Sequence, residues 1–183
     1  MTLSPQIRQQ VRQRANFACE YCDVAETDSA GQLTIDHFQP SSKGGTDEIR
    51  NLIYCCIRCN QYKLNYWPNS PTAPSLWNPR QDNHKQHFQV LENGELYPLT
   101  PTGEFTLRRL RLNRPLLVKY RLSKQSERDK KALLAHYQEI VELLTEISTQ
   151  QAQLMNEQQE LLREQTELLR TLLKQHRTLS DDT

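Results

Sequence analysis

The chain has 183 residues, 36% of them apolar and 25% charged, which leaves room for one compact domain and an extension but is too polar for a chain globular throughout. Residues 1–14 are polar, without the apolar run of a secretory signal, and nowhere do about twenty apolar residues follow one another, so neither a leader nor a membrane span is expected. The net charge of +1 hides a division: residues 61–125 carry ten Lys/Arg against four Asp/Glu, while residues 126–183 carry seven against eleven. Five cysteines, four of them spaced Cys-x-x-Cys, suit a reducing compartment where thiols bind metal, and the expected location is cytoplasmic.

In chain order, Ser4 and Pro5 open an expected helix over residues 5–18, with Ile7, Val11, Ala15 and Ala18 along one face. Its end delivers Cys19 and Cys22 into a knuckle. Residues 23–32 read as a polar loop, and Leu33-Thr34-Ile35 as a short strand rich in β-branched residues. Asp36-His37 follows, then an irregular connection forced by Pro40 and the Gly44-Gly45 pair. Asn51-Leu52-Ile53 leads into the second knuckle, Cys56 and Cys59, and Asn60–Tyr66 is expected to form a short helix stopped by Pro68.

Two such cysteine pairs are the ligand set of a closed tetrahedral zinc site, so Cys19, Cys22, Cys56 and Cys59 are expected to hold a structural Zn²⁺. Zinc can contribute on the order of 10 kcal/mol to so small a fold. Cys55 stands outside the set as a buried, inert thiol. A hydrolytic site needs a base that is neutral near pH 7, and an imidazole suits that task, which makes His37 the candidate base. Asp36 and Asn60 offer a carboxylate and an amide oxygen, the sparse oxygen set that Mg²⁺ or Mn²⁺ accepts while keeping water and a phosphate. Lys63 is either a phosphate contact or a surface lysine, and His84 and His87 read as exposed loop histidines.

The run from Cys19 to Lys63 (CEYC…IDHFQPSSKGGTDEIRNLIYCCIRCNQYK) resembles the HNH endonucleases, in the version with four zinc-binding cysteines. The resemblance covers about a quarter of the chain. It implies a ββα-metal fold, in which a hairpin and a helix hold one catalytic divalent ion. It also implies hydrolysis of DNA phosphodiesters to 5′-phosphate and 3′-hydroxyl ends. Asn60 then takes the third letter of the signature, where other members have histidine. Asn51 takes the middle letter and orients the histidine loop through backbone hydrogen bonds.

After Trp67 the prolines at 68, 71, 74 and 79 mark a loop. Phe88 to Tyr97 reads as a hairpin about Asn93-Gly94, with a two-residue turn. A helix is expected from Glu104 or Phe105. Between Glu104 and Glu127 stand Arg108, Arg109, Arg111, Arg114, Lys119, Arg121 and Lys124 with no acid among them, a candidate nucleic-acid face or a solvated helix surface. From Leu133 to Leu173 there is neither Pro nor Gly. Tyr137 and Leu144 take heptad position a, Ile140, Ile147, Leu154, Leu161 and Leu168 take d, and Gln151, Gln158 and Gln165 interrupt a. That pattern suggests a coiled coil forming a homodimer, a helix onto which a partner protein docks, or one helix folded back near Thr149–Ala152.

The expected class is therefore α+β. Residues 1–67 form an HNH core with zinc knuckles, residues 68–125 a proline-rich loop, hairpin and basic helix, and residues 126–183 a long amphipathic helix. The expected function is a metal-dependent endonuclease acting on DNA. The alternative is a catalytically silent, zinc-stabilised DNA-binding or adaptor protein assembling through its coiled coil.

Overall fold

The computed structural model describes residues 3–181, with side chains as far as Lys174. The elements are α1 (Pro5–Arg14), α2 (Glu26–Ser29), β1 (Thr34–His37), β2 (Leu52–Cys55), α3 (Ile57–Lys63), α4 (His84–His87), β3 (Phe88–Val90), β4 (Leu96–Pro98), α5 (Pro101–Arg109) and α6 (Pro115–Asp181). The α+β class is borne out, and packing divides the chain into two units after Ser126.

Ser4 caps α1, its hydroxyl accepting from Ile7 N, and Pro5 takes the first helical position. The helix ends a turn earlier than expected because Asn16 and Phe17 adopt left-handed backbone, φ 49° and 60°. That bend turns the chain into the first knuckle. The expected loop of residues 23–32 holds one short helical turn, α2, tied back to α1. Arg12 meets the Glu26 carboxylate with two hydrogen bonds of 2.6 and 2.7 Å, and Tyr54 on β2 donates to the same group.

β1 and β2 pair antiparallel, with Asp36 opposite Ile53 and His37 opposite Leu52. β2 is buried on both faces, which explains its unbroken apolar run LIYC. Leu52 and Tyr54 pack with Val11 of α1, while Ile53 and Cys55 join the knuckle cysteines in the main core. That core is completed from later in the chain by Trp77, Phe88, Leu110, Leu112 and Leu117. The region after Trp67 therefore shares a core with the knuckles; within that region Thr106 Oγ1 accepts from Trp77 N at 2.7 Å.

The hairpin expected at Asn93-Gly94 is present, with a different turn. Leu91 N donates to Glu95 O and Gly94 N to Leu91 O, and only Gly94 has positive φ (+79°). This is a three-residue connection with glycine in the left-handed position, not the two-residue turn. His84 and His87, expected to be exposed, are half-buried: His84 packs against Trp77 and Phe88, and His87 Nδ1 lies 2.7 Å from Thr100 Oγ1. α5 starts at Pro101, three residues before its expected start, under the Thr100 cap.

In the second unit α6 runs without interruption through Thr149–Ala152, so the folded-back hairpin is corrected. Its Leu and Ile side chains at d are exposed, most by more than half. Among the described residues no helix is long and apolar enough to cross a membrane.

Candidate active site and thiolate cluster

Cys19 and Cys22 come from the bend after α1, and Cys56 and Cys59 from the start of α3, where Cys56 Sγ caps the helix by accepting from Cys59 N at 3.4 Å. All four are buried, and their sulfurs lie within 4.8 Å of one another. Cys22 Sγ and Cys56 Sγ are 3.7 Å apart. Zinc–sulfur bonds of about 2.3 Å in a tetrahedron put sulfurs about 3.8 Å apart, so the donor set fits a zinc-type ion with no position left for substrate. The fifth cysteine, Cys55, is fully buried on β2, and burial pushes its thiol up. None of the five forms a disulfide.

Glu20, inside the first knuckle, is a hub. Its carboxylate accepts from Arg80, from Arg14 Nη2 at 3.2 Å and from Tyr54 N at 2.7 Å. Arg14 in turn donates to Ile49 O and Leu52 O. The knuckle is thus bound to α1 and to the start of β2.

Asp36 and His37 end β1, and α3 packs against that strand. Lys63, at the last turn of α3, is completely buried. Its ammonium stands 2.8 Å from Asp36 Oδ2 and donates to His37 O at 2.8 Å. Lys63 and Asp36 form a buried ion pair. Burial raises the Asp36 carboxyl above the usual range, with Lys63 opposing the shift. Lys63 is thereby placed away from the surface position that a phosphate contact requires.

His37 Nε2 lies 2.7 Å from Asp47 Oδ1, and the sequence pattern gave no sign of this partner. The two are ten residues apart across an irregular loop, and no spacing rule joins them. Asn51 stitches that loop. Its Oδ1 accepts from Gln39 N at 2.8 Å, and its Nδ2 donates to Gln39 O at 3.1 Å and Thr46 O at 2.8 Å. Gly45 sits so close to the Gln39 carbonyl that a Cβ would lie 1.8 Å from its oxygen. Asn60 lies on α3 one turn before Lys63, half-buried, and its amide makes no hydrogen bond among the described residues. The Asp36 carboxylate and the uncommitted Asn60 amide offer oxygens of the kind a hard divalent ion takes.

The basic segment divides. Arg108 (paired with Glu104), Arg111 and Lys119 are exposed. Arg109 stacks over Tyr66 and donates to Lys63 O at 3.1 Å. Arg121 donates to Gly94 O at 2.6 Å, Leu112 O at 2.9 Å and Asn113 Oδ1 at 3.0 Å, which fastens the β3–β4 hairpin. Arg114 points at the cysteines, and Lys124 pairs with Asp28 at 3.2 Å.

This hairpin and helix with a thiolate clamp at their base carry an HNH-type segment: residues 19–65 match the family model described as HNH endonuclease. The resemblance read from Cys19 to Lys63 is borne out. The chain is also similar to Septu protein PtuA of Bacillus mycoides (strain KBAB4), 27% identical over 141 residues. The match covers 61% of this chain and 20% of that protein, so the chain spans about a fifth of the relative's length.

Proposed function

We propose that this protein is a metal-dependent endonuclease of the HNH type that hydrolyses DNA phosphodiester bonds. The observation that carries the reading is the family match over the same residues that put Asp36 and His37 at the end of β1, against α3 with Asn60. His37, its Nε2 paired with Asp47, keeps Nδ1 free to take a proton from the attacking water. Asp47 fixes the tautomer by accepting from Nε2–H, and stabilises the imidazolium once the proton has moved. Asn51 holds the loop that carries Asp47. Asp36 and Asn60 are the residues that would hold Mg²⁺ or Mn²⁺, which when bound would neutralise charge on the scissile phosphate and the leaving oxygen.

Arg108, Arg111 and Lys119, exposed and close in sequence, supply phosphate contacts that give affinity without sequence choice. The four cysteines hold structural zinc and take no part in hydrolysis. The seam of α6 pairs with the same seam of a second copy, making a homodimer. The likeness to Septu protein PtuA supports a role of the same kind as that protein's.

One observation favours the silent alternative: the Asp36 carboxylate already faces a buried ammonium 2.8 Å away. Supercoiled plasmid separates the two readings. With Mg²⁺ or Mn²⁺ the wild type nicks it and His37→Ala does not. If neither nicks while both retain DNA binding, the enzyme reading fails and the adaptor reading stands.

A further inference from the structure

The basic segment contains one cation with an unusual target. Arg114 Nη2 lies 4.0 Å from Cys56 Sγ and 3.9 Å from Cys59 Sγ, within reach of an N–H to large, soft sulfur atoms. Nη1 of the same guanidinium faces Leu110 O at 3.4 Å and Arg111 O at 3.3 Å, which holds the fork in place. Tyr62 lies under it, with the ring centroid 5.8 Å away. The backbone of Arg114 meanwhile starts α6, its carbonyl accepting from Leu117 N at 2.9 Å and Val118 N at 3.2 Å.

Four thiolates around Zn²⁺ leave two net negative charges, and here all four cysteines are buried. Buried charge is costly unless it is compensated, and partners outside the ligand shell govern how firmly a site keeps its metal. A guanidinium is permanently charged and offers several donors in one plane, so it can meet two sulfurs and two carbonyls together. No other Lys or Arg among the described residues donates to these sulfurs.

We infer that Arg114 is an outer-sphere partner of the zinc–thiolate centre, there to retain the metal and not to bind nucleic acid. It offsets part of the cluster's negative charge and donates to two of the four sulfurs, which makes their departure from the metal harder. Because the same residue opens α6, loading of the knuckles is coupled to the start of that helix. The inference rests on the cysteines holding zinc and is independent of whether His37 and Asp36 cut DNA.

The test is zinc release from the full-length protein, followed with a zinc-responsive dye under excess chelator at neutral pH. One equivalent of zinc co-purifying with wild type establishes the starting state. Arg114→Gln is expected to release zinc about 10–100 times faster, the usual effect of removing such a partner. Arg114→Lys should fall between, because it keeps the charge but not the fork. Arg58→Gln removes an exposed cation lying between Cys56 and Cys59 in sequence, and should release at the wild-type rate. A cobalt-substituted sample whose thiolate charge-transfer band is retained in each variant shows that the four sulfurs still bind. DNA affinity of Arg114→Gln should be unchanged within about twofold. Wild-type release from Arg114→Gln overturns the inference, as does equal acceleration by Arg58→Gln, which would mean that only the general field matters. If Arg114→Gln does not accumulate folded, Arg114→Lys decides: faster release supports the inference and wild-type release overturns it.

Discussion

Lys63 and Asp47 divide the work of holding the two residues at the end of β1. Lys63 balances Asp36 from a fully buried position, and Asp47 meets His37 from the half-exposed side. Removing a buried cation and leaving its carboxylate costs about 3–5 kcal/mol, so Lys63→Met should unfold at markedly lower denaturant concentration than wild type near pH 7. The sign with pH follows from burial, which already raises the Asp36 carboxyl. Without Lys63 that value rises further, so the penalty is full above the raised value and lifts as pH falls through it and the carboxyl takes a proton. Denaturant melts in metal-free buffer should therefore show the gap to wild type narrowing on acidification; a constant gap would contradict the account. For Asp47→Asn the expected result is a fall of roughly tenfold or more in nicking rate with DNA binding unchanged. Nitrogen NMR of the ring should then show His37 losing its single tautomer. Neither pairing was legible in the sequence, because both depend on which side chain a loop or helix end brings near. The cysteine set and the Asp36-His37 step were legible, because their chemistry is written at fixed short spacing.

Between elements, the loop from Gln39 to Asn51 does most to shape the site, and Gly45 is its tightest point. A Cβ there would meet the Gln39 carbonyl oxygen at 1.8 Å, and backbone cannot yield as a flexible side chain does. Gly45→Ala is expected to cost about 1–3 kcal/mol and to lower nicking more than that loss of stability explains, since Asp47 and the Asn51 bonds shift together. Equal activity per folded molecule would show that the loop tolerates the displacement. At α4, burial depresses the His84 imidazole below its ordinary value of about 6.5, between Trp77 and Phe88. A depressed histidine adds stability that is present above the unfolded value and lost as pH falls from there through the folded one. Thermal melts should thus fall between pH 7.5 and 5.5 in wild type, and less steeply in His84→Phe. Element order was largely readable in advance, whereas boundaries were not. The Asn16-Phe17 bend, the three-residue turn at Gly94 and the early start of α5 are set by backbone geometry and capping that hydrophobic periodicity does not report. The basic run shows the same limit: charge was visible, but not that Arg109, Arg114 and Arg121 spend it on carbonyls, rings and sulfurs.

At the scale of the whole chain, the unit up to Ser126 is held by a main core that draws on both sides of Trp67 and by a smaller cluster about Val11, Leu52 and Tyr54, whereas the helix beyond it leaves its apolar seam uncovered. Leu154, Leu161 and Leu168, each exposed by about 60%, lie at successive d positions, while Gln158 and Gln165 at a would pair across a symmetric partner. Light scattering of the full chain should give twice its 21.5 kDa mass, and the triple change of those leucines to glutamine should return it to one. A wild-type mass of 21.5 kDa would exclude self-pairing and leave the seam to another protein.

The position of Arg114 in the chain has a consequence for biosynthesis. It follows Cys59 by fifty-five residues, and at about 5–20 residues per second the ribosome needs about 3–11 s to add them. Throughout that interval a nascent chain presents a complete set of thiols without its late guardian. Ion capture during translation would then be reversible at first, and would become durable only once the arginine arrives.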